Sequence, residues 1–293
     1  MAGPNRIATL PKSDRFTLPP VLMGTACEGC GALPAADILA ETLGSKMAVL
    51  CPASCAATFS LSYTHTAWQV PFVHWIFESA PAAATGLRRA YDVRGLKDVH
   101  VVCFAGDSGT ADIGFQALSG AASRNEHILY ICYDNEVAMN TQGQATSLTP
   151  GLARTPTTPA GTPALQKDVP RIMAAHGVPY VATAAVSHPD DYRRKLHRAA
   201  QVKGFRYIQV LTPCPIAWGF PHTDTIDVTK VAVETGLWIL SEVDGGEMRV
   251  TYRPKRRRPV REYLLLQGRF AGLRPREIQS LQQQVDAAWG ARR

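Results

Sequence analysis

The chain has 293 residues, of which 46% are hydrophobic and 19% are charged. This composition is typical of an ordinary soluble globular protein with one large domain or two small ones. No apolar run reaches the roughly 18 residues that a membrane span needs, and the first residues lack the apolar core of a secretory signal. We therefore expect a cytoplasmic protein that has no membrane partner.

The formal net charge is +7, and four of the positive charges form one basic run at 255–258. Such a run is typical of a solvated tail, of a surface that meets an acidic protein, or of a nucleic-acid-binding patch. No zinc-finger or helix-turn-helix spacing accompanies the run, so the sequence disfavours nucleic acid. We expect these residues to contact a protein partner.

Hydrophobic periodicity and turn residues predict a chain in which strands and helices alternate. In chain order we predict an extended arm over 1–22, a helix over 33–43, a strand over 47–50, a helix over 80–91, a strand over 98–104, a helix over 112–124, a strand over 127–133, a long loop over 134–166, a helix over 168–176, a strand over 179–182, a helix over 189–201, a strand over 206–211, a helix over 228–237, two short strands around the turn 244–246 and a helix over 275–289. This order is the unit of a parallel sheet. We therefore predict an α/β domain over 23–225, built on a mostly parallel sheet flanked by helices, and a C-terminal extension over 226–293.

The most informative motif lies within 105–144. A predicted strand runs into Gly-Asp-Ser-Gly at 106–109, and glycines at such a turn let the backbone approach a phosphate at a helix N-terminus. The next predicted strand is followed by Asp-Asn-Glu, which contains Asn135. Parallel neighbours bring their carboxyl ends together, so Asp107 and Asn135 can share one cation. Their oxygens are ligands that Mg²⁺ prefers.

The two halves of this motif resemble the thiamine-diphosphate motif, and more specifically the β subunits of the pyruvate:ferredoxin oxidoreductase family. The resemblance covers most of 20–240 and implies the thiamine-diphosphate-binding fold of the diphosphate-binding type. It implies that the cofactor is bound by Gly106, Asp107, Ser108, Gly109, Asn135, Val137 and Asn140. It further implies Mg²⁺ on Asp107, Asn135 and the Val137 carbonyl, with Asn140 at the reacting end of the cofactor.

Three positions depart from the family pattern. Ser108 and Gln142 stand where glycine is usual, and Ala138 stands where tyrosine is usual. Ser108 still offers its backbone N–H to a diphosphate, whereas Ala138 and Gln142 are expected near the substrate. They leave open which 2-oxo acid is used: we expect pyruvate first, and branched-chain, aryl and oxalate substrates remain alternatives.

Seven cysteines occur in the chain, at 27, 30, 51, 55, 103, 132 and 214. An odd number without a secretion signal argues against a disulfide framework. Cys103 and Cys132 lie in apolar runs, where a thiol most often acts as a small hydrophobe. The Cys-x-x-Cys at 27–30 is by itself compatible with zinc, an iron–sulfur cluster or a redox disulfide.

The family that the chain resembles carries a Cys-x-x-Cys, a later third cysteine and a distant cysteine between prolines, which together bind one [4Fe–4S] cluster. The resemblance therefore implies the ligands Cys27, Cys30, Cys55 and Cys214. Cys51, which precedes a proline, competes with Cys55 for the third position. A structural zinc ion remains an alternative, because four thiolates suit zinc equally well.

The resemblance implies CoA-dependent oxidative decarboxylation of a 2-oxo acid to acyl-CoA and CO₂, with electrons passed to ferredoxin or flavodoxin. It implies an α subunit that binds the pyrimidine ring, and γ and ferredoxin-like δ subunits or their fusions. The chain shows no persuasive candidate for the glutamate that activates the aminopyrimidine. We therefore expect an active site that is shared with the partner subunit, and an isolated chain that is inactive.

The segment 74–78 resembles a family segment that approaches the cofactor, and this makes Glu78 a candidate catalytic residue. A plain helix N-terminal acid accounts for Glu78 equally well. Two other functions also remain open. One is a thiamine-dependent decarboxylase or synthase subunit without a cluster, and the other is a zinc-stabilised adaptor that binds nucleic acid.

Overall fold

The computed structural model describes residues 25–62, 65–163 and 165–290, so the arm predicted over 1–22 lies outside the described residues. The helices are α1 Ala32–Leu43, α2 Cys55–Ser60, α3 Ala80–Val93, α4 Asp107–Ala111, α5 Phe115–Ser123, α6 Val169–Ala175, α7 Pro189–Gln201, α8 Pro215–Trp218, α9 Thr225–Thr235, α10 Val260–Leu265 and α11 Pro275–Gly290. The strands are β1 Met47–Pro52, β2 Leu61–Ser62, β3 His65–Thr66, β4 Phe72–Trp75, β5 His100–Gly106, β6 Leu129–Asp134, β7 Tyr180–Ala185, β8 Arg206–Leu211, β9 Ser241–Asp244 and β10 Glu247–Val250. Three short 3₁₀ helices lie at Met139–Thr141, His222–Asp224 and Gly268–Phe270. None of the helices in the described ranges has the length and hydropathy that a membrane crossing requires.

The described strands form one large sheet in the order β10-β9-β7-β8-β6-β5-β1-β4, and β2 and β3 form a separate ribbon. The pairings from β7 through to β4 are parallel, whereas β9 runs antiparallel to both β7 and β10. The predicted mostly parallel sheet flanked by helices is therefore confirmed. Because β5 and β6 are parallel neighbours, their carboxyl ends meet at one edge, where Gly106 is paired with Tyr133.

Helices cover both faces of the sheet, because successive strand residues point to opposite sides. On β5, Val102 and Phe104 pack in the layer with α1, α2 and α7. Val101 and Cys103 pack in the opposite layer with α3, α5 and α6. The central strands are buried on both faces and accordingly consist of nearly continuous apolar runs.

The prediction of a helix over 112–124 is wrong for its first three residues. The chain instead forms α4, breaks at 112–114 and begins α5 at Phe115. The break brings Gly114 so close to the preceding turn that a Cβ on it would lie 1.9 Å from the carbonyl oxygen of Gly109. Strand β4 was not predicted, because it has only four residues and all of them are half-buried or exposed.

The C-terminal extension packs onto the same domain. Strand β9 continues the sheet beyond β7, and α9, α10 and α11 form a third apolar cluster with α8. The indole N–H of Trp289 in α11 donates to the carbonyl of Gly236 at 3.0 Å, directly after α9. These contacts hold the last helix against the body of the fold.

Half of the basic run takes part in this packing. Arg257 pairs with Asp286 at 2.8 Å and lies over the ring of Trp289, with its guanidinium carbon 5.7 Å from the ring centroid. Arg258 pairs with Glu234 at 3.0 Å. At least these two charges therefore support the fold.

A buried lysine joins the C-terminal extension to the sheet. Lys195 in α7 is fully buried, and its ammonium group donates to the Thr183 carbonyl at 2.7 Å, to the Thr251 hydroxyl at 2.8 Å and to the carboxylate of Asp191. Burial lowers the pKa of Lys195, and the nearby Asp191 opposes this effect. The ammonium group is therefore stable in the interior only together with its three partners.

We predict that Lys195→Met lowers the free energy of unfolding by about 3 kcal/mol, because the variant breaks the ion pair with Asp191 and leaves the Thr183 carbonyl and the Thr251 hydroxyl without their donor. Arg193→Met on the same helix is the control. Arg193 is partly exposed and pairs with Glu41 at 3.0 Å, so its loss should cost about 1 kcal/mol or less. Chemical denaturation measures both values, and equal losses would contradict the role given to Lys195.

Candidate active site

A cavity of about 90 Å³ lies at the carboxyl ends of β5 and β6. It is lined by Ala53, Ser54, Cys55, Phe77, Gly106, Asp107, Ser108, Gly109, Tyr133, Asn135, Val137, Ala138, Met139, Asn140 and Thr141. Every residue that the sequence predicts for cofactor binding lines this one cavity. Of the four predicted cluster ligands, Cys55 also lines it.

Three polar groups converge inside this cavity. One terminal atom of the Asn135 amide lies 3.3 Å from Oδ1 of Asp107 and 2.8 Å from the carbonyl oxygen of Val137. With its nitrogen in that position, the amide donates to both oxygens. With its oxygen there, three oxygens face a common centre, which is a donor set that suits Mg²⁺. Asp107, Asn135 and Val137 therefore fit a cation when the oxygen of the Asn135 amide faces the other two oxygens. A half-turn of that amide interconverts the two arrangements.

Asp107 is the buried charge of the site. Burial raises the pKa of its carboxyl group to about 7, and a hydrogen bond from Thr146 opposes this rise. The Thr146 hydroxyl donates to Oδ2 of Asp107 at 2.8 Å, and Thr149 in turn accepts from the Thr146 backbone N–H at 2.8 Å. The sequence did not predict Thr146, which belongs to the long loop after β6. A carboxylate in this environment gains strongly from a bound cation.

Close packing leaves little room for a side chain at the two glycines of the turn. A Cβ on Gly106 would lie 3.1 Å from the Tyr133 hydroxyl, and one on Gly109 would lie 3.2 Å from the Phe77 ring. The Tyr133 hydroxyl accepts the backbone N–H of Ala56 at 3.0 Å. The turn between β5 and α4 is thereby held against both β6 and α2.

Asn140 also lines the cavity and belongs to the 3₁₀ helix Met139–Thr141. Its Oδ1 accepts a hydrogen bond of 2.8 Å from the Thr58 hydroxyl in α2. This bond fixes the orientation of the Asn140 amide. The sequence did not predict Thr58, because only the fold brings α2 beside this loop.

The four cysteines predicted as cluster ligands are electrostatic neighbours. Burial raises the pKa of Cys30 to about 11, and nearby Cys214 and Cys27 add to the rise. Burial likewise raises the pKa of Cys55 to about 12, with contributions from Cys30, Cys214 and Cys27. Cys27 is exposed, and the other three are partly or fully buried.

Cys51 lies outside this group. It is fully buried in β1, with its sulfur 3.6 Å from the Ser54 hydroxyl, and it is a neighbour of Cys103. Cys55 follows the turn at Ser54, begins α2 and faces the cavity. The structure thus separates the two candidates for the third ligand position.

Backbone contacts hold the two cysteine segments together. The Gly31 N–H donates to the Pro213 carbonyl at 3.2 Å, and the Thr225 hydroxyl donates to the Gly29 carbonyl at 2.6 Å. A Cβ on Gly31 would lie 2.6 Å from the Thr212 carbonyl carbon. In the described part of the chain, no group of three or more His, Cys, Asp or Glu side chains is drawn together tightly enough to hold a single metal ion. The cysteines are therefore close neighbours without forming a compact four-sulfur site.

Glu78, predicted as a catalytic residue together with Asn140, lies outside this cavity. Its side chain is exposed and it is not among the lining residues, whereas its neighbour Phe77 is. Glu78 lies two residues before α3, and the first turn of this helix contains no acidic residue.

Comparison with known proteins identifies the same region. The family model for the thiamine pyrophosphate enzyme C-terminal TPP binding domain matches residues 51–210. Pyruvate synthase subunit PorB of Methanothermobacter thermautotrophicus is 46% identical over 266 residues, which are 89% of this chain and 92% of the relative. The ketoisovalerate oxidoreductase subunit VorB of Pyrococcus abyssi is 38% identical over 296 residues, 97% of this chain and 94% of the relative.

A solved structure shares the fold. It is a 2-oxoglutarate:ferredoxin oxidoreductase from Magnetococcus marinus with 2-oxoglutarate, coenzyme A and succinyl-CoA bound. The match has a TM-score of 0.60 at 22% identity and covers 89% of this chain and 93% of that one. The chain thus has the fold predicted for it.

We predict that Asp107→Asn weakens Mg²⁺-dependent thiamine diphosphate binding by about 100-fold or more, because it removes the charged ligand. The same change should raise the melting temperature of the cofactor-free protein at pH 8. At pH 8, which is above the raised pKa of Asp107, the buried carboxyl group is ionised and its burial destabilises the fold. A neutral amide at this position removes that destabilisation. Calorimetric titration and thermal melts test both effects.

Asp112→Asn is the matched control. Asp112 is an exposed acid in the break between α4 and α5, and it accepts hydrogen bonds from Ser147. The control should bind the cofactor within about twofold of the unchanged protein, since Asp112 does not line the cavity. Equal binding by Asp107→Asn and Asp112→Asn would remove Asp107 from the cation site.

Proposed function

We propose that this chain, which belongs to the β subunits of the pyruvate/2-oxoacid:ferredoxin oxidoreductase family, holds thiamine diphosphate, Mg²⁺ and one [4Fe–4S] cluster in an enzyme that oxidatively decarboxylates a 2-oxo acid with CoA. One observation carries the proposal: Cys55 lines the same cavity as Asp107, Asn135 and Asn140. A proposed cluster ligand and the proposed cofactor-binding groups would thus line one cavity. This arrangement supports electron transfer directly from the cofactor to the cluster.

The diphosphate end of the cofactor belongs at the turn 106–109. Asp107, Asn135 and the Val137 carbonyl would hold Mg²⁺, which would neutralise the charge of the diphosphate. The glycines leave the turn without side chains that would keep a phosphate away from the backbone. When bound, thiamine diphosphate supplies an electron sink for decarboxylation and a cluster accepts electrons one at a time.

Asn140 would act at the substrate end of the cavity. Its Oδ1 is engaged by Thr58 at 2.8 Å, so the amide is held in one orientation as the substrate binds. Ala138 and Met139 form the neighbouring wall, and the small Ala138 leaves room above the loop. Four relatives named pyruvate synthase subunit PorB are 43–46% identical to the chain, and this supports pyruvate as the first substrate to test. Two other PorB subunits, at 36%, fall below the 38% of the ketoisovalerate subunit, so a branched-chain 2-oxo acid is the second.

The proposed cluster ligands are Cys27, Cys30, Cys55 and Cys214. Backbone N–H groups of Ala32 and Leu33 face the Cys30 sulfur, and those of Ile216 and Ala217 face the Cys214 sulfur. Such donors stabilise anionic sulfur and tune a cluster's potential. The four thiols are neighbours but do not form a compact four-sulfur site. This spacing favours a cluster over zinc, because the ligand sulfurs of a cluster lie further apart than those of a single ion.

A partner α subunit would complete the site. No glutamate is present among the described residues that line the cavity, so the group that activates the aminopyrimidine must come from elsewhere. Trp75, Ile76 and Ile113 are 41%, 58% and 53% exposed. They lie on two neighbouring segments, since Gly114 is close to the backbone carbonyl of Glu78. Large exposed apolar side chains of this kind are typical of a subunit interface.

The decisive test is anaerobic purification of the chain with its partner subunits. Iron, zinc and thiamine diphosphate are quantified, and a reduced-cluster spectrum is recorded after addition of pyruvate and CoA. About four iron atoms and one thiamine diphosphate per chain are expected from the proposed cofactors. Zinc in place of iron, or thiamine without a metal on the cysteines, would favour the cluster-free decarboxylase alternative. The isolated chain should be inactive, and turnover by it alone would refute the shared site.

We predict that Cys55→Ala removes most of the cluster iron and the substrate-induced reduction, while thiamine diphosphate stays bound. Cys51→Ala is the control, because this buried thiol packs in the core of β1. It should keep its full iron content and lose only about 1 kcal/mol of stability. Iron analysis and the visible spectrum distinguish the two cysteines, and iron loss in Cys51→Ala alone would reverse the assignment.

A further inference from the structure

Glu136 stands between the two cation-binding positions Asn135 and Val137. Its φ angle of +59° lies in the left-handed region, which a glutamate rarely adopts. Such a conformation persists only where surrounding contacts hold it in place. The conformation of this one residue therefore determines how the side chain of Asn135 and the carbonyl of Val137 face each other.

Each polar group of Glu136 is held by a partner. Its backbone N–H donates to Oδ1 of Asp134 at 2.9 Å, and its carbonyl accepts from the Thr149 hydroxyl at 2.7 Å. Its carboxylate forms an ion pair of 2.6 Å with the guanidinium of Arg269, although the contact falls short of an aligned hydrogen bond. Arg269 comes from the C-terminal extension, far from the cofactor motif in sequence.

Arg269 is itself fixed inside the extension. Its side chain is buried, and the guanidinium carbon lies 3.7 Å from the ring centroid of Trp218. Its Nε donates to Gln267 at 2.8 Å and a terminal nitrogen donates to the Tyr263 hydroxyl at 3.3 Å. A planar guanidinium held by stacking and hydrogen bonds keeps one position, which an ammonium group on a flexible stem would not do.

Trp218 completes the connection to the cation site. Its indole N–H donates to the backbone carbonyl of Asn135 at 2.8 Å, and the ring is fully buried. Arg269 therefore supports the loop at two adjacent points, at Glu136 through the ion pair and at Asn135 through Trp218. Both supports are outside the cavity, because neither Arg269 nor Trp218 lines it.

We propose that Arg269 and Trp218 are positioning residues for the divalent-cation site, so that the C-terminal extension is needed for tight binding of Mg²⁺ and the diphosphate. The inference rests on the proposed function, since it assigns a role toward the same cofactor. Without this clamp, Glu136 relaxes from its left-handed conformation, and cofactor binding must restore it. The affinity for the cofactor falls as a result.

The test compares cofactor binding in the full chain, purified with its partner subunits, for four variants. Arg269→Met removes the ion pair and the guanidinium stack, and Trp218→Phe keeps a ring under Arg269 but removes the donor to Asn135. Arg269→Lys keeps the charge without the planar stack. Arg257→Met is the matched control, because Arg257 also lies over a tryptophan and pairs with an acid in the same extension.

Affinity for Mg²⁺ is measured calorimetrically at saturating thiamine diphosphate, beside the melting temperature of each cofactor-free variant. We expect about 10-fold weaker Mg²⁺ binding for Arg269→Met and about fivefold weaker binding for Trp218→Phe, the size of one lost hydrogen bond. Arg269→Lys should fall between Arg269→Met and the unchanged protein. Arg257→Met should bind within about twofold of the unchanged protein even where it melts at a lower temperature.

A lower melting temperature with unchanged Mg²⁺ affinity in Arg269→Met would overturn the proposal, since it would indicate a purely structural ion pair. If Arg269→Met does not fold, Trp218→Phe decides: unchanged affinity in that variant overturns the proposal as well. Failure of the proposed function is distinguishable, because then the unchanged protein would itself not bind thiamine diphosphate.

Discussion

The buried carboxylate of Asp107 is the constraint on which the rest of the site depends. Removing an ionised acid from water is unfavourable unless partners replace the lost solvation, and here burial raises its pKa. Thr146 supplies one hydrogen bond, and the groups of Asn135 and Val137 complete a donor set for a cation. A cation bound at this proposed site would therefore stabilise the fold.

The parallel sheet brings the two halves of this donor set together, but it does not by itself fix their relative positions. Strand β6 ends at Asp134, and the next residues turn sharply through the left-handed Glu136. The contacts that support this turn come from the long loop through Thr149 and from the extension through Arg269. Segments that look peripheral in sequence thus set the geometry of the cation site.

The sequence predicted what lies in contiguous motifs. The turn with Asp107 and the proposed ligand Asn135 each follow a buried strand, so the adjacency of the two strand ends could be inferred from the order of elements. Thr58, Thr146 and Arg269 could not be found in this way, because each acts through a contact with a segment that is distant in the chain. The break before α5 was missed for a similar reason, since it depends on a backbone approach of Gly114 that no side-chain pattern records.

Spacing favoured Cys55 but left Cys51 as an alternative, because the chain changes direction between the two cysteines and spacing does not record this change. Cys51 is the last residue but one of β1 and packs in the core, with its sulfur beside the Ser54 hydroxyl. Ser54 then caps α2 by accepting the Ala57 N–H at 3.4 Å, and the new helix turns Cys55 toward the cavity. Thr58 follows on the same helix and holds Asn140. One short helix therefore carries both a proposed cluster ligand and the support of the substrate-side amide, so that any shift of α2 moves the two chemical halves of the site together.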